Sequence, residues 1–295
     1  MINIYIFYTI SSQVIWGLLP LFWILLNQVS PLYILATRII WSAFFCFLLI
    51  LQRNLLPALK KVMRQREQWP YIIGATIMVT INWGTFIYSM TQGYMLQSSL
   101  AYYMNPIVVI LFGALIFREH LGNLQRCAIL FAATGVAISF FIYGQFPFLA
   151  SIICMTWATY SLLKKKIILD SQVSVFIESF TMIPLAAAYI LYCEGTGAGA
   201  VGILHGWQWL LLPATGVVTA APMMLFTAGI KGAPVTVTGI CMYLAPSMTL
   251  IIGLATGETL TTPLLVTFAF TWIAVAMYLA GLFRIVDRLR KKNAG

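Results

Sequence analysis

Apolar residues run through this sequence in long unbroken blocks, not in the two-residue alternation of a strand with one buried face. Predominantly apolar runs occupy positions 4–26, 32–52, 70–90, 96–117, 124–142, 147–163, 172–192, 207–230, 235–256 and 263–284. A helix crossing a hydrocarbon core needs roughly 20 such residues, so the pattern predicts ten transmembrane helices with short connections. Pro31, Pro70, Pro147 and Pro263 stand at or just before predicted helix starts, where the missing N–H costs nothing because first-turn donors are unpaired anyway. Trp69, Trp207 and Trp209 fall at run ends, where interfacial aromatics belong. The opening MINIYIF lacks a basic segment, so the first run is expected to span the membrane and not to be a cleavable signal.

Composition names the solvent. The 295 residues are 61% hydrophobic and only 8% charged, against about 25% charged in a soluble domain, and mean hydropathy is +0.94. The expected class is therefore an all-α membrane protein in contact with the lipid bilayer. A net charge of +10 suggests nucleic acid, but the basic residues are dispersed over short connections and form no single basic face, which argues against that partner. Those residues are Arg53, Lys60, Lys61, Arg64, Arg66, Arg118, Arg126, Lys164, Lys165, Lys166, Lys231, Arg284, Arg288, Arg290, Lys291 and Lys292. With ten alternating spans every one of them lies on the same side. The positive-inside rule makes that side the cytoplasm and places both termini there. Cys46, Cys127, Cys154 and Cys241 sit inside apolar runs and read as packing residues, not as a disulfide framework.

The two halves resemble each other. SLAYYMNPIVVILFGALIFREHL (99–121) lies against TGICMYLAPSMTLIIGLATGETL (238–260), pairing Tyr103 with Tyr243, Pro106 with Pro246, Glu119 with Glu258 and Leu121 with Leu260. Nearly the same offset sets Trp16 against Trp157 and Arg38 against Glu178. A unit of five spans is odd, so the second copy enters the membrane from the other side. The expected organisation is two inverted five-helix repeats, 1–142 and 143–295, an architecture common among secondary carriers.

Arg38 and Glu178 are the formally charged residues well inside the predicted spans, and an ionisable group there costs about 2.5–3.5 kcal/mol on insertion scales. Their depths put them near opposite faces, roughly 12 Å apart along the membrane normal in a core of about 30 Å, which argues against direct pairing. Each is expected to line one half of a central aqueous cavity, Arg38 attracting an anionic group and Glu178 attracting an amine or taking a proton. In the competing reading Arg38 snorkels outward and hydroxyls such as Ser174 and Thr181 satisfy Glu178. Trp16, Asn82, Trp83, Tyr102, Tyr103, Asn105 and Tyr243 lie at or near mid-span as candidates for an amphipathic substrate pocket. Pro106 and Pro246 free carbonyls on the preceding turn and are expected to kink or gate their helices.

Other chemistries find no support. Gly197, Gly199 and Gly202 spell GxGxxG in a loop with no preceding strand, and no GxxxxGK[ST] or GxSxG occurs, so no nucleotide cofactor, built-in ATPase or serine hydrolase is expected. His120 and His205 stand alone in loops, giving no metal site. The run Lys164–Lys166 reads as a topology anchor.

VIWGLLPLFW (14–23), ATRIIWSAFF (36–45), INWGTFIYS (81–89), SSLAYYMNPIVVILFG (98–113) and VTFAFTWIA (266–274) resemble the RarD-type permeases, within the EamA group of the drug/metabolite transporter superfamily. The resemblance implies a bacterial inner-membrane permease of ten helices in two EamA repeats, commonly an exporter of metabolites or amino acids. It carries Trp16, Arg38, Asn82, Trp83, Tyr102, Asn105, Pro106 and Glu178 over as site positions. YLAP (243–246) lacks the Asn of the first copy, which breaks the symmetry of the site. The expected function is a non-enzymatic secondary transporter of a small amphipathic or zwitterionic metabolite, with no cofactor. The alternative is a ligand-binding membrane sensor or assembly subunit. Proton coupling through Glu178 and simple downhill flux both stay open, as do substrate, direction, and monomer against homodimer.

Overall fold

The computed structural model describes residues 2–92, 94–144, 146–255 and 262–293, and among them there is no strand. Its helices are α1 (Ile2–Trp23), α2 (Pro31–Gln52), α3 (Leu56–Arg64), α4 (Trp69–Thr91), α5 (Met95–Ile116), α6 (Asn123–Tyr143), α7 (Phe148–Lys166), α8 (Ser171–Gly195), α9 (Leu211–Gly232), α10 (Val235–Cys241), α11 (Leu244–Ala255) and α12 (Thr262–Asn293). Each apolar run of the sequence lies on helix. Among the described residues seven helical stretches are long and apolar enough to cross a membrane: α1 with its 3-10 extension, α2, α4, α6, α8, α9, and α10 with α11. Glu258 and Leu260, paired above with Glu119 and Leu121, lie outside the described residues.

Three departures from the sequence pattern matter. The connection 53–69 contains the amphipathic helix α3, whose Leu59 and Val62 pack on the main core while Lys60 and Lys61 stay exposed. The run 147–163 continues as helix to Lys166 and carries Lys164 inward, fully buried. The run 235–256 is broken between Cys241 and Leu244. Pro246 has no N–H for the Met242 carbonyl, and the chain turns with Tyr243 donating to Ile240 O (3.3 Å) before Ser247 N resumes on Tyr243 O (3.3 Å). In the first copy Pro106 sits inside a continuous α5. Glu119, from the turn after α5, caps the start of α10, accepting from Val235 N (2.7 Å) and Thr236 N (2.8 Å).

Matching the helices of the two halves in order sets α1 with α7, α2 with α8, α4 with α9, α5 with α10–α11 and α6 with α12. The main packings then come in mirrored sets. α2 lies on α8, α6 on α12 and α5 on α10; α1 on α9 mirrors α7 on α4; α5 on α7 mirrors α11 on α1. One set is not mirrored: α9 packs along α2, whereas α4 only touches α8. Glycine permits the first of these approaches, since a Cβ on Gly216 would sit 2.3 Å from the Trp41 carbonyl carbon and 2.5 Å from its oxygen. α9 therefore occupies the middle of the bundle, and its counterpart α4 stands off from α2 and α8.

Candidate functional site

Arg38 lies where α2 faces α4. Its guanidinium carbon lies 4.7 Å from the ring centroid of Trp83 on α4 and 5.7 Å from that of Trp23 at the end of α1. Both indoles are half-buried, and Arg38 Nε is buried with no hydrogen-bond partner. On α5 the Tyr102 ring meets Phe86, one turn along α4 from Trp83, edge to face at 5.6 Å. Tyr102 is 45% exposed. The head group is thus held between aromatic faces. Among the described residues the ion pair is Lys164–Glu178, and Arg38 has no carboxylate.

Glu178 is in the opposite condition. On α8 near the basic end, it is 4% exposed and accepts from Lys164 Nζ at 2.5 Å and from Tyr160 Oη at 3.1 Å. Ser174 Oγ receives a bond from Lys164 Nζ (2.7 Å) and lies 3.3 Å from the carboxylate. Thr181 takes no part, because it donates to Ile177 O in its own helix. A ring cluster closes over the pair: Trp157 lies 5.3 Å from Tyr160 and 5.4 Å from Phe226. Two further lysines tie this end together. Lys165 donates to Ala233 O (2.5 Å), and Lys231 donates to Leu169 O.

The remaining candidates divide. Trp16 faces its sequence counterpart Trp157 at 5.5 Å and Phe226 at 5.6 Å, inside the ring cluster. Asn82 is buried and bonds α4 to α7, donating to Ile153 O (2.7 Å) and Thr156 Oγ1 (3.1 Å). Tyr103 and Tyr243, also sequence counterparts, share one apolar cluster of α5, α6, α10 and α12, and both hydroxyls lack partners. Asn105 is buried with its carbonyl oxygen unpaired. Arg38 and Trp83 therefore come together, Tyr102 meets Phe86 one turn along α4, and the other candidates are distributed over packing positions.

The sequence pattern did not single out Trp23, Tyr160 or Lys164. Trp23 closes VIWGLLPLFW at a run end and carried only the interfacial signal of any terminal Trp. Lys164 was hidden in a lysine block.

Comparison with known proteins converges on one group. A model of the EamA-like transporter family matches residues 3–141. The chain is 37% identical over 277 residues to an uncharacterized transporter YojE of Bacillus subtilis (strain 168), covering 92% of each. It is 29% identical to Protein RarD of Escherichia coli (strain K12), covering 91% of each, and 27% identical to a chloramphenicol-sensitive protein RarD of Pseudomonas aeruginosa, again over 91% of each. A solved structure titled "Crystal structure of protein" shares the fold with a TM-score of 0.71 at 17% identity, over 93% of this chain and 96% of that one.

Proposed function

Because the chain belongs to the EamA-like transporter family, we propose that it is a secondary transporter moving a small amphipathic or zwitterionic metabolite by alternating access, as an exporter of the bacterial inner membrane. The architecture of this reading is ten spans in two inverted repeats, 1–142 and 143–295, both termini cytoplasmic. Its supports are the one-sided basic residues, the mirrored packings and the meeting of Trp16 with Trp157, as expected of matched residues near a pseudo-twofold axis.

The observation that carries the proposal is the inequality of the two charged positions. Glu178 is sealed with its own counter-ion at the basic end; Arg38, its sequence counterpart, is only partly buried and has none among the described residues. Two similar halves in unequal packing are what alternating access needs, because exchanging the two packings opens the other end. Glu178 enters as part of a closing latch, so a coupling proton on it would have to free the buried Lys164.

Reconstituted vesicles test this. Untargeted comparison of extracellular metabolites from a deletion strain and an overexpressing strain supplies the candidate solutes. Arg38→Ala is expected to abolish vesicle flux of the active one with unchanged expression. Unchanged flux sinks the role given to Arg38, and absence of flux for every changed metabolite favours the sensor reading.

A further inference from the structure

We infer that Arg38, with the Trp23 and Trp83 rings against its guanidinium, is a binding site for an organic monocarboxylate whose apolar or aromatic body lies against the rings. The location of this site on a transport path rests on the reading above; its chemistry does not.

The argument starts from what the guanidinium lacks. Arginine stays protonated even at a membrane midplane and offers five N–H donors in a planar fork. The indoles beside Arg38 stabilise its charge from their faces by about 0.5–2 kcal/mol each. Trp, however, is a donor only and accepts none of those hydrogens. Cation–π contact thus holds the head group in place and leaves the fork unfilled. A carboxylate fits it in a two-point geometry.

No described side chain supplies that carboxylate. Glu178 is taken by Lys164, and Glu119 caps α10. Glu194, at the far end of α8 from the basic side, receives the Tyr33 hydroxyl at 2.6 Å and the Ala200 N–H at 2.9 Å. Glu67 and Asp170 belong to connections at the basic end. None of the described carboxylates is placed against Arg38, so among the described residues its guanidinium has a place for a carboxylate from a ligand.

Charge count narrows the ligand further. Arg38 is the one cation placed against these rings, which suits a single negative charge better than a phosphate monoester or a dicarboxylate. An amino acid's ammonium would find no free carboxylate there, since Glu178, the natural candidate for it, is already paired. Two indoles lie against the guanidinium, and the Phe86 and Tyr102 rings meet one turn along α4 from Trp83. An uncomplicated carboxylic acid anion with an apolar body fits this better than a zwitterion.

Equilibrium binding to the full-length protein in nanodiscs is the test, read as quenching of tryptophan fluorescence. The probes are 3-phenylpropionate, its uncharged amide, phenylalanine, and chloride as competitor. Saturable binding of 3-phenylpropionate is expected, at least tenfold weaker for the amide and for phenylalanine, and not displaced by chloride at concentrations matched to the probe. Arg38→Gln should weaken it at least tenfold and Arg38→Lys by less. Equal binding of the amide, tighter binding of phenylalanine, full displacement by chloride, or undiminished binding to Arg38→Gln each overturns the proposal. If Arg38→Gln fails to fold, the amide and Arg38→Lys arms still decide. Binding as expected with no flux of any carboxylate leaves this inference standing and removes the transporter reading; flux indifferent to Arg38 does the reverse.

Discussion

Lys164 has no water to turn to, and its ammonium is neutralised by Glu178 alone, with Ser174 as an added partner. Removing one member of such a pair leaves a buried charge, at a cost of about 3–5 kcal/mol, whereas replacing both with apolar groups of similar volume is near neutral. Glu178→Gln is thus expected to lower the melting temperature in detergent markedly, and Lys164→Met with Glu178→Leu to restore most of it, both read by fluorescence-detected size-exclusion after heating. A double variant as unstable as the single would mean that the pair is not what holds this end. Glu178 was legible in the sequence as a costly charge, but its partner was not. Consecutive helical residues point about 100° apart, so the lysine block splits three ways: Lys164 inward, Lys165 onto the end of α9, and Lys166 exposed beside Tyr71. A one-dimensional pattern shows three like charges, and only the neighbouring helices give each its own task.

Among elements, α9 depends on having no side chain at Gly216, because the obstacle to a Cβ is the Trp41 backbone, which cannot swing aside. Gly216→Val is expected to separate α2 from α9 and sharply reduce the yield of folded protein, while Gly84→Ala, with nothing within 4 Å of the added carbon, leaves yield unchanged. The break between α10 and α11 gives a second expectation. Pro246→Ala returns a donor to the Met242 carbonyl, so amide exchange around Tyr243 should slow and flux should fall severalfold with little loss of stability. Faster exchange there would mean that the proline supports the turn instead of causing it. Helix existence was legible throughout, because about 20 apolar residues leave the chain no other structure in lipid. The break was not, since NP- and AP-containing spans read alike until their neighbours are placed: Pro106 is accommodated and Pro246 is not. Helix α3 was overlooked because nine residues rich in basic groups look like a connection, although Leu59 and Val62 fall at helical spacing.

For the molecule as a whole, α9 packs along α2 whereas α4 only touches α8, and the proposed exchange of the two packings can be tested by accessibility. In a background without native cysteines, Tyr102→Cys is expected to react with a membrane-impermeant thiol reagent applied from the side opposite the basic connections. Tyr160→Cys, beneath the Trp157 and Phe226 rings, should be protected from either side until the carrier cycles. Early labelling at position 160 from the cytoplasmic side would mean that the basic end is not the closed one.

On the proposed cycle the cation at Arg38 has an electrical consequence. An empty site would carry one positive charge through part of the membrane field, whereas a site filled by a monoanion would carry none. In an exporter working this way, a potential negative inside would draw the unloaded protein back toward the cytoplasm and leave the outward, loaded step unaffected, so that voltage alone would drive efflux. Each charge crossing 100 mV gains about 2.3 kcal/mol, roughly a fiftyfold accumulation ratio, and a potassium diffusion potential imposed on proteoliposomes would display it directly.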